Sequence, residues 1–134
     1  MNLRNLSNKI EGGGCIITAE NDQKIIDLDR NSIIRTYRDK GVILFRGFKN
    51  IKSDISTFTD QYTKKYANDA MRRENRFGNK KLNNVDPGNM EMPMHSEASY
   101  SPSWPEIVWF FCNVAPKKSG KTTLSDGVSI FKKF

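Results

Sequence analysis

An α+β fold is the class this sequence predicts, and three observations lead to it. Two stretches with apolar residues at helical spacing fall in the first half of the chain, whereas the longest β-prone run, Ile107 to Val114, comes late. The regular strand–helix alternation of a doubly wound sheet is not evident, so a domain built on antiparallel strands is expected. At 134 residues, with 37% hydrophobic and 10% aromatic residues, the chain is sized for one domain or part of one and composed to bury a core.

Residues 1 to 28 are polar around the Gly12-Gly13-Gly14 break. The short β-prone piece Cys15-Ile16-Ile17-Thr18 follows, which predicts an extended lead-in around a tight turn. From Asp29 to Lys40, Ile33, Ile34 and Tyr37 share a helical face, Asp29 or Asn31 can cap the start, and Gly41 ends it. Val42 to Phe45 is a short apolar run between Gly41 and Arg46-Gly47 and reads as a buried strand, with Arg46 in an ion pair at its end. A second helix is expected from a Ser53 cap to about Ala67, with Ile55, Phe58, Tyr62 and Tyr66 along one face.

Between Asn68 and Met94 the chain is polar, holds Gly78, Pro87 and Gly88, and shows neither period, so it reads as a long functional loop. Ile107 to Val114 contains one polar residue, Asn113, and is flanked by Pro105 and Pro116, the profile of a central strand. Trp104, Trp109, Phe110 and Phe111, in and beside that run, are expected in the core rather than on a stacking platform. After Gly127 a last helix is predicted, with Val128, Ile130, Phe131 and Phe134 apolar.

Composition narrows the function. No stretch reaches the roughly 20 consecutive apolar residues of a membrane helix, and the N-terminus lacks the pattern of a signal peptide. A soluble cytoplasmic protein with no membrane partner is the expectation. Cys15 and Cys112 lie far apart, and Cys112 falls inside an apolar run, so no disulfide is expected. The net charge of +7 invites a nucleic-acid reading. Its one dense cluster, Arg72, Arg73, Arg76, Lys80 and Lys81, contains Glu74 and a single aromatic, Phe77, with no recognisable nucleic-acid motif. A solvated basic loop explains it better than a nucleic-acid site.

Chemistry concentrates in Met94-His95-Ser96-Glu97. An imidazole and a carboxylate two residues apart, on an extended strand or loop, project from the same side of the backbone and can reach one metal ion. With a second histidine they would form the facial triad of non-haem iron oxygenases, which leaves coordination positions open; a structural zinc site would instead be closed by four protein ligands. Spacing alone is weak support. Acids are 15 of 134 residues, so a histidine meets one two places on about once in nine by chance, and an ordinary hydrogen-bonded histidine stays open as a reading.

The surrounding segments add to it. Gly41-Val42-Ile43-Leu44-Phe45-Arg46-Gly47-Phe48 is a glycine-led strand ending in Phe-Arg-Gly. Pro105-Glu106-Ile107-Val108-Trp109-Phe110-Phe111-Cys112 is a proline-led strand, and Ser119-Gly120-Lys121-Thr122-Thr123 holds a Gly-x-Thr turn. In order and spacing the chain resembles the taurine dioxygenase (TauD/TfdA-like) family of Fe(II)- and 2-oxoglutarate-dependent oxygenases, from about Cys15 onward. The family more often carries Asp where Glu97 stands, although members similar to clavaminate synthase carry Glu, and it usually has Gly at the position of Ser119.

The resemblance implies a double-stranded β-helix (jelly-roll) core, here incomplete and preceded by leading helices. It implies His95 and Glu97 as metal ligands, and Thr122 as a hydrogen-bond partner of the 2-oxoglutarate carboxylate. Tyr100, three residues after Glu97, is a candidate substrate contact. The implied enzyme is a dioxygenase that hydroxylates a small organic substrate, consuming O₂ and 2-oxoglutarate and releasing succinate and CO₂. The family's second histidine and its 2-oxoglutarate-binding arginine lie downstream of the Gly-x-Thr turn, yet this chain has one histidine. Residues 1–134 therefore read as the N-terminal part of a single oxygenase domain, truncated at the C-terminus and inactive alone, with a complementing C-terminal chain as one conceivable partner.

Two alternatives are weighed against that reading. One is a non-catalytic structural or interaction fragment in which His95 and Glu97 only hydrogen-bond. The other is a nucleotide binder through Ala115-Pro116-Lys117-Lys118-Ser119-Gly120-Lys121-Thr122, one residue from the phosphate-loop pattern. Against the latter, Ser125-Asp126-Gly127 interrupts the helix such a loop must enter, and Pro116 removes an amide from the cradle.

Overall fold

A computed structural model describes residues 2–6, 13–49, 52–66, 83–85, 91–118 and 120–134. It divides into two compact units, residues 1–62 with 123–134, and residues 63–122. Among the described residues no helix is long and apolar enough to cross a membrane.

The first unit is built on a three-stranded sheet in the order β1-β2-β3, comprising β1 (Asn2–Asn5), β2 (Cys15–Thr18) and β3 (Ile43–Arg46). β1 pairs antiparallel with β2, Leu3 opposite Ile17. β2 pairs parallel with β3, Cys15 opposite Ile43 and Thr18 opposite Arg46. The expectation of purely antiparallel pairing is thus corrected. β2 and β3 are joined through a helical crossover, which is what parallel neighbours require. Within the extended lead-in expected of residues 1–28, Asn2–Asn5 forms the strand β1.

β2 shows why four residues suffice for a central strand. Its side chains alternate between fully and partly buried, and Cys15 and Ile17 are completely enclosed. Gly14 permits the approach of β3, since its φ is +82° and a Cβ there would stand 3.0 Å from the Val42 Cβ. Next to it the Cys15 amide donates to the Val42 carbonyl at 2.9 Å.

A 3₁₀ turn, Ile25–Asp27, leads to helix α1, Arg30–Lys40. The sequence signals act here as physics predicts. The Asp29 carboxylate accepts from the Ser32 amide at 2.8 Å, and Gly41 ends the helix at φ 70°, its amide donating to the Tyr37 carbonyl at 2.7 Å. Arg38 and Lys40 lie in the last turn, where cations oppose the helix dipole.

Helix α2, Lys52–Asp60, is shorter than the sequence suggests and begins one residue before Ser53, which is therefore inside the first turn. Past Asp60 the Gln61 and Tyr62 amides donate back to Phe58 and Thr59, tighter bonds that close the helix. Ala67 lies outside the described residues. The core of this unit gathers Cys15, Ile17, Ile25, Leu28, Ile33, Ile55 and Phe58. Phe58 meets Phe45 edge-on at 5.3 Å and Tyr62 at 5.0 Å between ring centroids. Arg30 reaches over the Tyr62 ring at 5.8 Å and donates from Nε to the Gln61 carbonyl at 2.8 Å, which ties α1 to the end of α2. Arg46 is exposed and, among the described residues, forms no ion pair, contrary to expectation. Helix α3, Gly127–Phe131, is capped by the Asp126 carboxylate on the Val128 amide at 2.9 Å.

Among its described residues the second unit shows no comparable core. Ile107 to Val114, expected as a central strand, carries no assigned strand pairing among the described residues. A period of two survives in its exposure, since Ile107 and Trp109 are half-buried while Val108 and Phe110 are open. The aromatic residues are likewise corrected: Trp104 is 69% and Phe110 65% exposed, and Phe111 is exposed as well. Trp109 alone has a fixed partner for its polar edge, its Nε1–H donating to the Thr63 hydroxyl at 3.1 Å. Strand propensity describes a residue's fit to a neighbouring strand, and among the described residues none pairs with this run. What the sheet shows is a small α+β arrangement; a jelly-roll is a property of the family rather than of these three strands.

Candidate functional site

Residues 91–96 run without regular structure and enter a turn at Glu97. The Ser99 amide donates to the Ser96 carbonyl at 3.3 Å, and Ala98, third in that turn, takes a positive φ of 53°. This is the signature of a type II turn, which usually places Gly or Asn at that position. A second turn follows at once, Ser101 donating to the Ala98 carbonyl at 2.9 Å. The Ala98 side chain is buried, so the left-handed residue also anchors the loop.

Glu97, at the start of this turn, lies beside His95. His95 Nε2 and Glu97 Oε2 lie 4.0 Å apart, and both side chains are 51% exposed. That separation is too long for a hydrogen bond and short enough for one cation to be shared between them. On its other side the ring is held locally, with Nδ1 2.8 Å from the Pro93 carbonyl oxygen. The sequence expectation had both groups on one side of an extended strand or loop; they lie in a loop, His95 just before the turn and Glu97 at its start. Among the described residues no third His, Cys, Asp or Glu joins them. A neutral nitrogen and an anionic oxygen, half open to solvent, suit a divalent ion that also takes ligands from elsewhere.

The other candidates do not meet the pair. Tyr100 is 89% exposed, and Thr122 is exposed in the irregular stretch before α3; among the described residues neither hydrogen-bonds to His95 or Glu97. Lys117, Lys118 and Lys121 are exposed too. The phosphate-loop alternative loses its main requirement, since residues 121–126 are irregular and α3 begins only at Gly127. The basic cluster from Arg72 to Lys81, with Glu74 and Phe77, lies outside the described residues.

Two contributors escaped the sequence reading. Pro93 acts through a backbone carbonyl, which no side-chain motif reports, although a proline two places before the histidine was a visible signal. Ala98 gave no signal, because alanine is an uncommon choice for a left-handed turn position.

Comparison with known proteins adds one finding. The family model for taurine catabolism dioxygenase TauD, TfdA family matches residues 4–134. No curated protein and no solved structure matches the chain.

Proposed function

The chain belongs to the taurine catabolism dioxygenase TauD, TfdA family, and from that premise we propose that it supplies part of an Fe(II)- and 2-oxoglutarate-dependent dioxygenase site, with His95 and Glu97 as two protein ligands of the metal. The observation that carries this reading is the 4.0 Å approach of an imidazole nitrogen to a carboxylate oxygen in an open loop. When bound, Fe(II) and 2-oxoglutarate supply the oxidising power that places an oxygen atom from O₂ on a small organic substrate in the cytoplasm, with release of succinate and CO₂.

The residues of this chain hold and orient. Glu97 contributes negative charge that offsets part of the cation's, and His95 contributes a neutral donor beside it. The Thr122 hydroxyl donates to a carboxylate oxygen of 2-oxoglutarate, and Tyr100 contacts substrate. One histidine among 134 residues leaves a three-ligand set incomplete. The second imidazole that such a set requires is not among residues 1–134.

Titration of the purified chain with Co(II) tests the reading. Binding should weaken at least about tenfold in His95→Ala and in Glu97→Ala, the scale on which metal affinity responds to its supporting groups. Unchanged affinity in both variants would leave the pair with hydrogen bonding alone. Succinate release by residues 1–134 supplied with Fe(II), 2-oxoglutarate and O₂ should be absent, and its detection would contradict the missing-ligand argument.

A further inference from the structure

The Pro93 carbonyl oxygen, 2.8 Å from His95 Nδ1, can only accept a hydrogen bond. The proton of that bond therefore belongs to Nδ1. A neutral imidazole carries a single N–H, so Nε2 keeps its lone pair, and Nε2 is the nitrogen that faces Glu97 Oε2. We propose that Pro93 is a positioning residue, whose carbonyl selects the Nδ1–H tautomer of His95 and so presents the Nε2 lone pair, beside Glu97, to a divalent cation. This inference rests on the half-site reading of His95 and Glu97 and adds what keeps the half-site ready before any metal arrives.

Three features converge on it. The bond spans two residues, so it forms without a tertiary core. The proline ring fixes φ at residue 93, leaving one fewer torsion to order before the carbonyl meets the ring. A free neutral histidine side chain favours the opposite form, with the proton on Nε2, so the selection has a direction that can be measured.

The experiment uses residues 1–134 carrying isotope-labelled histidine, whose single imidazole makes assignment direct. Long-range proton–nitrogen correlation in mildly alkaline, metal-free buffer reads the tautomer. The Nδ1–H form should predominate in the parent chain. In Pro93→Gly, which keeps the carbonyl but frees the backbone, the ratio should move towards Nε2–H and Co(II) affinity should fall about tenfold, the lower end of the effect of losing an outer-shell partner. Pro93→Ala should fall between the two.

A parent chain dominated by Nε2–H overturns the proposal, as does a Pro93→Gly variant with the parent's tautomer ratio. Failure of the half-site reading looks different. In that case His95→Ala and Glu97→Ala leave Co(II) affinity unchanged while the Nδ1–H tautomer persists in Glu97→Ala.

Discussion

In residues 1–62, Phe58 is 2% exposed and wedged between Phe45 and Tyr62, whereas in residues 63–122 Phe110 and Trp104 face solvent. The first region is held by non-local contacts, namely strand ladders, a helical crossover and an aromatic cluster. Among the described residues of the second, short-range bonds predominate, the turns at Ser96–Ser101 and the Pro93–His95 contact, beside one distant bond from Trp109 to Thr63. The candidate ligands lie in the region whose described aromatic residues are the more exposed. Their geometry is encoded within a few residues and need not share the fate of the hydrophobic core.

The sharpest test of that contrast is a pair of truncations. Phe58→Ala should cost about 3–5 kcal/mol in urea unfolding, the usual range for emptying a buried phenylalanine site. Phe110→Ala should change stability by no more than about 0.5 kcal/mol, as surface substitutions do. Equal losses would show that the two regions are not distinct in the way described.

Next in size is Gly14→Ala. A left-handed alanine costs about 1–2 kcal/mol, and its Cβ would press on Val42 at 3.0 Å, so the loss should reach at least that range by the same measurement. Ala98→Gly should have a much smaller effect. Relief of a left-handed alanine, about 1–2 kcal/mol, is offset by the extra chain entropy of glycine and by the loss of a buried methyl, about 0.8 kcal/mol, so hydrogen exchange at the Ser99 amide should change by no more than about threefold.

The smallest effect is electrostatic. Hydrogen bonds from Ser32 hold the exposed Asp29 carboxyl below its ordinary pKa. Its contribution is therefore present above the unfolded carboxylate value and is lost as pH falls through the lowered folded value. Helical circular dichroism in urea should show the parent more stable than Asp29→Asn at neutral pH, with that advantage shrinking as pH falls towards about 2, because the variant has no carboxylate there to protonate. Coincident curves would reduce the cap to a neutral hydrogen bond.

What could be read from the sequence follows the same divide. Asp29, Gly41 and the spacing of Ile33 gave α1 almost to the residue, because caps and periodicity are local. Cys15–Thr18 was visible as a strand, but its parallel partner was not, since pairing is a relation between distant segments. The Ile107–Val114 run misled for that reason: it states a preference for a neighbour and cannot supply one. At the site, His95 and Glu97 were legible as a spacing, while the turn at Ala98 and the carbonyl of Pro93 belong to the backbone and leave little trace in side-chain patterns.

The two thiols give this division a practical use. Cys15 is fully enclosed in β2, where burial raises its thiol pKa, and Cys112 is exposed. An alkylating reagent should modify Cys112 first, while Cys15 reacts only when its region opens. The native sequence thus carries its own stopwatch: the lag between the first and second label times how often the packed half of the molecule comes apart.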